Sequence, residues 1–86
     1  MADLKIVSLN IAMSMLSISD VLRINKPDLL FLQEVNFSTQ TLCDRVDSIG
    51  YVGESNTDPL HPTLPGTAIV WKKTIKVSEV NQLIER

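Results

Sequence analysis

The sequence predicts an α/β fold with strands of mixed direction, on three observations. Two apolar segments of strand length, residues 4–11 and 28–35, enclose a stretch with helical spacing. A second helical stretch follows, and after it come short β-rich segments around a proline-rich loop. Strand, helix and strand within about thirty residues match a βαβ unit, whose two strands run parallel.

Residues 4–11, Leu-Lys-Ile-Val-Ser-Leu-Asn-Ile, carry apolar side chains on both faces, which predicts a strand buried on both sides. Residues 14–25 fit a helix with Leu16, Val21, Leu22 and Ile24 as its stripe, and Ser17 with Asp20 resembles a start signal. Pro27 stops that helix, because the residue before a proline is pushed out of helical geometry. Residues 28–35 hold four consecutive large apolar residues between polar ends, a short buried strand. The second helix is expected from Ser38, its cap, to Ile49, with Leu42, Cys43, Val46 and Ile49 on one face. Gly50 stands where a left-handed cap is wanted. Tyr51 to Gly53 reads as a third strand, and residues 55–66, with Pro59, Pro62 and Pro65, as an irregular surface loop. Thr67 to Lys72 forms a fourth strand, and Ile75 to Val80 is expected to form a fifth. There is no internal repeat and no domain boundary.

Composition narrows the function. A chain of 86 residues has a thin core, burying about two thirds of the surface its unfolded form exposes. Its net charge of −2 and scattered basic residues, with Lys72–Lys73 the one adjacent pair, argue against direct electrostatic capture of a polyanion. A site that meets phosphate through a divalent cation needs no such patch. Cys43 is the single cysteine, which excludes an internal disulfide and a Cys-rich zinc site. No signal-peptide pattern opens the sequence and no apolar run reaches membrane-span length, so a soluble, intracellular protein without membrane association is expected, nuclear or cytoplasmic.

Asn10 and Glu34 are the informative pair. Each closes a predicted parallel strand, and parallel sheets place ligands outside the carboxyl ends of their strands. If the strands are neighbours, the two side chains share one crevice. A carboxylate is the hard ligand Mg²⁺ prefers, and an amide can orient it or bind a phosphate without adding charge. A polar residue that ends a strand is more often a solvated terminus or a cap, so placement alone leaves both readings open. Other polar residues have structural readings: Ser38 as a helix cap, Asp28 as the closure of the turn after Pro27, and His61 and Asp58 as surface loop residues. Cys43 reads as a core filler and Trp71 as sheet packing.

Two segments carry a resemblance. Lys5-Ile6-Val7-Ser8-Leu9-Asn10 and Lys26-Pro27-Asp28-Leu29-Leu30-Phe31-Leu32-Gln33-Glu34 resemble the opening motifs of the exonuclease–endonuclease–phosphatase superfamily. Gly50-Tyr51 and Gly66-Thr67-Ala68-Ile69-Val70-Trp71 resemble that family's third and fourth strands. The chain looks most like the apurinic-endonuclease-like domains of non-LTR (LINE-type) retrotransposons. It departs from the apurinic endonucleases at Ala12, where they tend to carry an aspartate.

The resemblance implies that residues 1–86 are the N-terminal fragment of a four-layer α/β/β/α sandwich, incomplete here, with a mixed sheet and flanking helices. It implies Mg²⁺-dependent phosphodiester hydrolysis (Mn²⁺ being a possible substitute), with Glu34 as metal ligand and Asn10 as the catalytic amide that positions the phosphate. DNA is the favoured substrate. The family's Asp-x-Asn motif and late Asp-His pair have no counterpart in these residues, so the chain alone is expected to be inactive and, with one sheet face open, to self-associate. The alternative is a non-catalytic remnant or interaction module. An unrelated flavodoxin-like domain is disfavoured, because no Gly-rich phosphate loop follows the first strand.

Overall fold

The computed structural model describes residues 4–12, 18–56, 66–76, 78 and 80. In chain order they form β1 (Ile6–Asn10), α1 (Ile18–Asn25), β2 (Leu29–Val35), α2 (Thr39–Val46), a 3₁₀ turn (Asp47–Ile49), β3 (Tyr51–Asn56) and β4 (Gly66–Lys72). The strands make one four-stranded sheet in the order β1-β2-β4-β3. β1 and β2 are parallel, while β4 runs antiparallel to both of its neighbours. This is a small α/β fold with a mixed sheet and two helices.

Local chemistry sets the element ends. Lys26, in the left-handed region at φ 47°, closes α1 just before Pro27. Ser38 caps α2, its hydroxyl accepting the Thr41 N–H at 3.2 Å. Gly50, at φ 94°, ends the 3₁₀ turn as the left-handed cap. The βαβ unit, the second helix and the fourth strand therefore stand close to where the sequence puts them. Leu16, Ser17, His61 and Asp58 lie outside the described residues.

Both helices cover the same sheet face. Ile18 and Leu22 of α1 and Leu42 and Val46 of α2 pack on Leu30, Leu32, Val35, Tyr51, Ala68 and Val70. Gly53 permits α2 to lie close, since a Cβ there would stand 2.5 Å from Leu42 Cδ2. A smaller cluster, Leu29, Trp71 and Val80, fills one end of the other face. Trp71 is thus packing, as expected.

Four expectations change. β1 is buried on one side only: Val7 and Leu9 face the helices, whereas Ile6 is 52% exposed and Ser8 and Asn10 are exposed. Ile24 is 78% exposed. Ile18 and Leu22, four apart, define the buried line of α1, and Ile24 falls on the far side of it. Residues 75–80 form no strand among the described positions. The chain turns at Lys73–Thr74, residues 78 and 80 are helical, and the Val80 N–H bonds the Lys76 carbonyl. The third strand runs on to Asn56, taking two residues assigned to the loop.

Candidate functional site

The carboxyl ends of β1, β2 and β3 and the amino end of β4 meet along one edge of the sheet. Asn10 pairs in register with Gln33, and the Ile11 N–H reaches the Gln33 carbonyl at 3.2 Å. Asn10 and Glu34 therefore lie on adjacent parallel strands, one register step apart. Both are exposed.

The backbone at both positions is unusual. The Asn10 Oδ1 accepts the Ala12 N–H at 2.9 Å, folding the chain back after β1, and Ala12 sits at φ 47°. This engages the amide oxygen, and the NH₂ group of this exposed side chain supplies two donors. Glu34 is the extra residue of a β-bulge, because Gln33 pairs with Thr67 and Val35 with Gly66. Its φ of 57° is left-handed, a conformation that costs a residue with a Cβ roughly 1–2 kcal/mol. The bulge lets Val35 remain fully buried while Glu34 is turned out to water.

Behind this edge lies the face opposite α1 and α2, and register reads it in rows, since cross-strand partners project to the same side. The outermost row is Asn10, Gln33, Thr67 and Asn56, four neutral hydrogen-bonding side chains spanning all four strands. The next is Ser8, Phe31, Ile69 and Glu54, and the third is Ile6, Leu29, Trp71 and Val52. A shallow depression of about 670 Å³ occupies the first two rows, lined among others by Phe31, Gln33, Glu54, Thr67 and Ile69. Neither Asn10 nor Glu34 lines it. Sequence reasoning missed Gln33, Thr67 and Asn56 as a row. The available signal was their shared strand parity, but using it requires the pairing register.

Carboxylates are sparse. Glu54 is two strands away from β2, on the order of 10 Å at the usual strand spacing, too far to share one ion with Glu34. Among the described residues no three His, Cys, Asp or Glu side chains gather to hold a metal.

Asp28 belongs to the opposite edge. Its carboxylate accepts the Lys5 N–H at 2.7 Å and pairs with Lys72 Nζ at 3.1 Å, tying the start of β1 to the end of β4. The Lys5 N–H bond, with the Lys72 ammonium behind it, holds this carboxyl below the usual range. Beside it the buried Tyr51 hydroxyl donates to the Pro27 carbonyl at 2.7 Å, and burial pushes the phenol up. The Lys-Pro-Asp turn is thus a structural clamp, in keeping with the closing role read for Asp28.

Compared with protein-family models, curated proteins and solved structures, the chain matches none of them. Among the described residues no helix is long and apolar enough to cross a membrane.

Proposed function

We propose that this chain is the N-terminal part of a Mg²⁺-dependent phosphodiesterase of the exonuclease–endonuclease–phosphatase superfamily, an endonuclease of retrotransposon type with DNA as favoured substrate. The observation that carries this reading is Glu34. A glutamate in left-handed backbone on a strand-end bulge is a poor choice for stability, and such outliers cluster at functional sites. It stands one register step from Asn10, an exposed amide whose oxygen is already engaged.

The donor set fits a weak Mg²⁺ site. Mg²⁺ commonly takes one or two protein carboxylates and completes its shell with water and substrate phosphate. Glu34 offers one accessible carboxylate. With its oxygen held by Ala12, Asn10 suits a phosphate oxygen through its NH₂ and not the metal. When bound, the cation would neutralise charge on the phosphate and stabilise the leaving oxygen. The residues of this edge bind and orient; none of them is placed to activate water.

The test uses the 86-residue chain. Mn²⁺ should selectively broaden the NMR amide signals of Asn10, Gln33 and Glu34, and Glu34→Gln should abolish that pattern. Glu34→Gly should do the same while raising the melting temperature, because glycine removes the left-handed penalty. Plasmid and abasic oligonucleotides should remain uncut. Broadening that ignores Glu34→Gln would end the metal role, and leave the interaction-module alternative standing.

A further inference from the structure

The two edges of the sheet are treated differently. β3 and β1 are the outer strands, and each has one row of backbone groups that its neighbour cannot reach. Hydrogen-bond parity identifies those rows. The Lys73 N–H bonds the Gly50 carbonyl, so even-numbered residues of β3 face β4 and Tyr51, Gly53 and Ser55 face outward. On β1, the Lys5 carbonyl accepts from Leu29 and the Ile11 N–H donates to Gln33. Odd-numbered residues therefore face β2, and Ile6, Ser8 and Asn10 present their N–H and C=O groups outward.

The Gly53–Ser55 end of the β3 edge is plugged by α2. The Ser55 N–H is taken by Thr39 Oγ1 at 2.9 Å, and the same hydroxyl donates to the Ser55 carbonyl at 3.3 Å. One turn along α2, the Cys43 thiol donates to the Gly53 carbonyl at 3.1 Å. Three of the six outward groups, both of those on Ser55 and the carbonyl of Gly53, are thus satisfied within the molecule. On β1, no described residue bonds the outward groups of Ile6, Ser8 or Asn10. The usual blunting devices are missing too: the strand Ile-Val-Ser-Leu-Asn has no proline and no charge. Lys5, just before it, has its ammonium tied back to the Asn25 carbonyl at 2.6 Å.

From this asymmetry we infer that β1 is the interface for a second copy of this chain, paired antiparallel about a two-fold axis through Ser8. The occupant follows from the count of free edges. Among the described residues β1 is the one edge with no outward group engaged; a single wholly open edge does not favour a fibre, and its self-complementary solution is a closed, isologous pair. The register follows from parity. Centring on Ser8 sets Ser8 against its own copy and Ile6 against the partner's Asn10, so every outward residue falls in a hydrogen-bonded pair. The product is an eight-stranded sheet whose outer strands are both the partly plugged β3. The outward groups here are backbone groups, so this pairing does not rest on the phosphodiesterase reading.

Sedimentation velocity of the full 86-residue chain across a concentration series should show a reversible monomer–dimer equilibrium and no larger species. Ser8→Lys should shift it to monomer by setting like charges opposite each other at the axis. Ser8→Pro should do so by deleting the central outward donor. Circular dichroism of both variants checks that the fold is kept; Ser8 is exposed, so Ser8→Lys should retain it. Should Ser8→Pro fail to fold, a third variant remains. Ser8→Cys in a Cys43→Ser background should oxidise to a disulfide-linked dimer, and Glu54→Cys in that background should not. A monomer at every concentration, a dimer indifferent to Ser8→Lys, or open-ended polymers would each overturn the proposal.

Discussion

Asp28 and Glu34 are six positions apart in one motif-like segment, yet they work at opposite ends of β2. Glu34 is exposed on a bulge, with a backbone that opposes its own side chain. Asp28 is partly buried and accepts from two directions. Its contribution has a definite pH signature. The folded state depresses this carboxyl, so the stability it supplies is present above the unfolded value near 3.8 and is lost as pH falls through the lower folded value. The Lys72 pair is partly exposed and adds little, so most of the effect belongs to the Lys5 N–H. Melting temperatures between pH 7 and roughly pH 2 should therefore fall on the acid side. Asp28→Asn should be less stable at neutral pH by about 1–2 kcal/mol, with a shallower acid limb. An Asp28→Asn acid limb as steep as that of the unaltered chain would assign the acid sensitivity to other carboxylates.

Elements were legible where their causes are local. Ser38, Gly50 and Pro27 act within one turn of themselves, and the ends they set fall within a residue or two of expectation. Residues 75–80 failed because Ile75 and Val80 are apolar for a reason that alternation does not capture: both fold back onto Leu29 and Trp71. Nor could the bulge be read, since a left-handed glutamate breaks the residue preference that would announce it. Adjacency of Asn10 and Glu34 followed from the βαβ pattern alone, but the polar row beside them needed the antiparallel register of β4. The close approach of α2 to β3 depends on an absent side chain. Gly53→Ala would drive a methyl into Leu42, forcing the helix or the leucine to shift. We expect a loss of about 1–3 kcal/mol by chemical denaturation, partly restored by adding Leu42→Val. Full stability in Gly53→Ala would mean that α2 sits further from the sheet than described.

At the scale of the whole molecule, the question is how a sheet holds together when α1 and α2 both lie on one face. Apolar residues occur at both parities of β2 and β4, so the sequence alone could not say which face the helices take. Leu30 of β2 and Ile69 of β4, both large and apolar, fall on opposite faces of the sheet. Leu30 is fully buried under the helices, while Ile69 lies half-buried on the open face, bordered by Phe31 and Glu54. The open face is also graded from apolar to neutral polar toward the carboxyl edge, which limits the patch that water meets. The two residues should therefore respond in opposite ways. Leu30→Ala removes packed methyl groups and leaves a cavity, at a cost of about 2–5 kcal/mol, enough to threaten a small domain. Ile69→Thr keeps a β-branched residue on a pleated, half-wet surface and should cost under about 1 kcal/mol while improving solubility. Urea titration of the two variants beside the parent chain measures both. Equal losses would require the second face to be buried as deeply as the first, by contacts beyond those of Leu29, Trp71 and Val80.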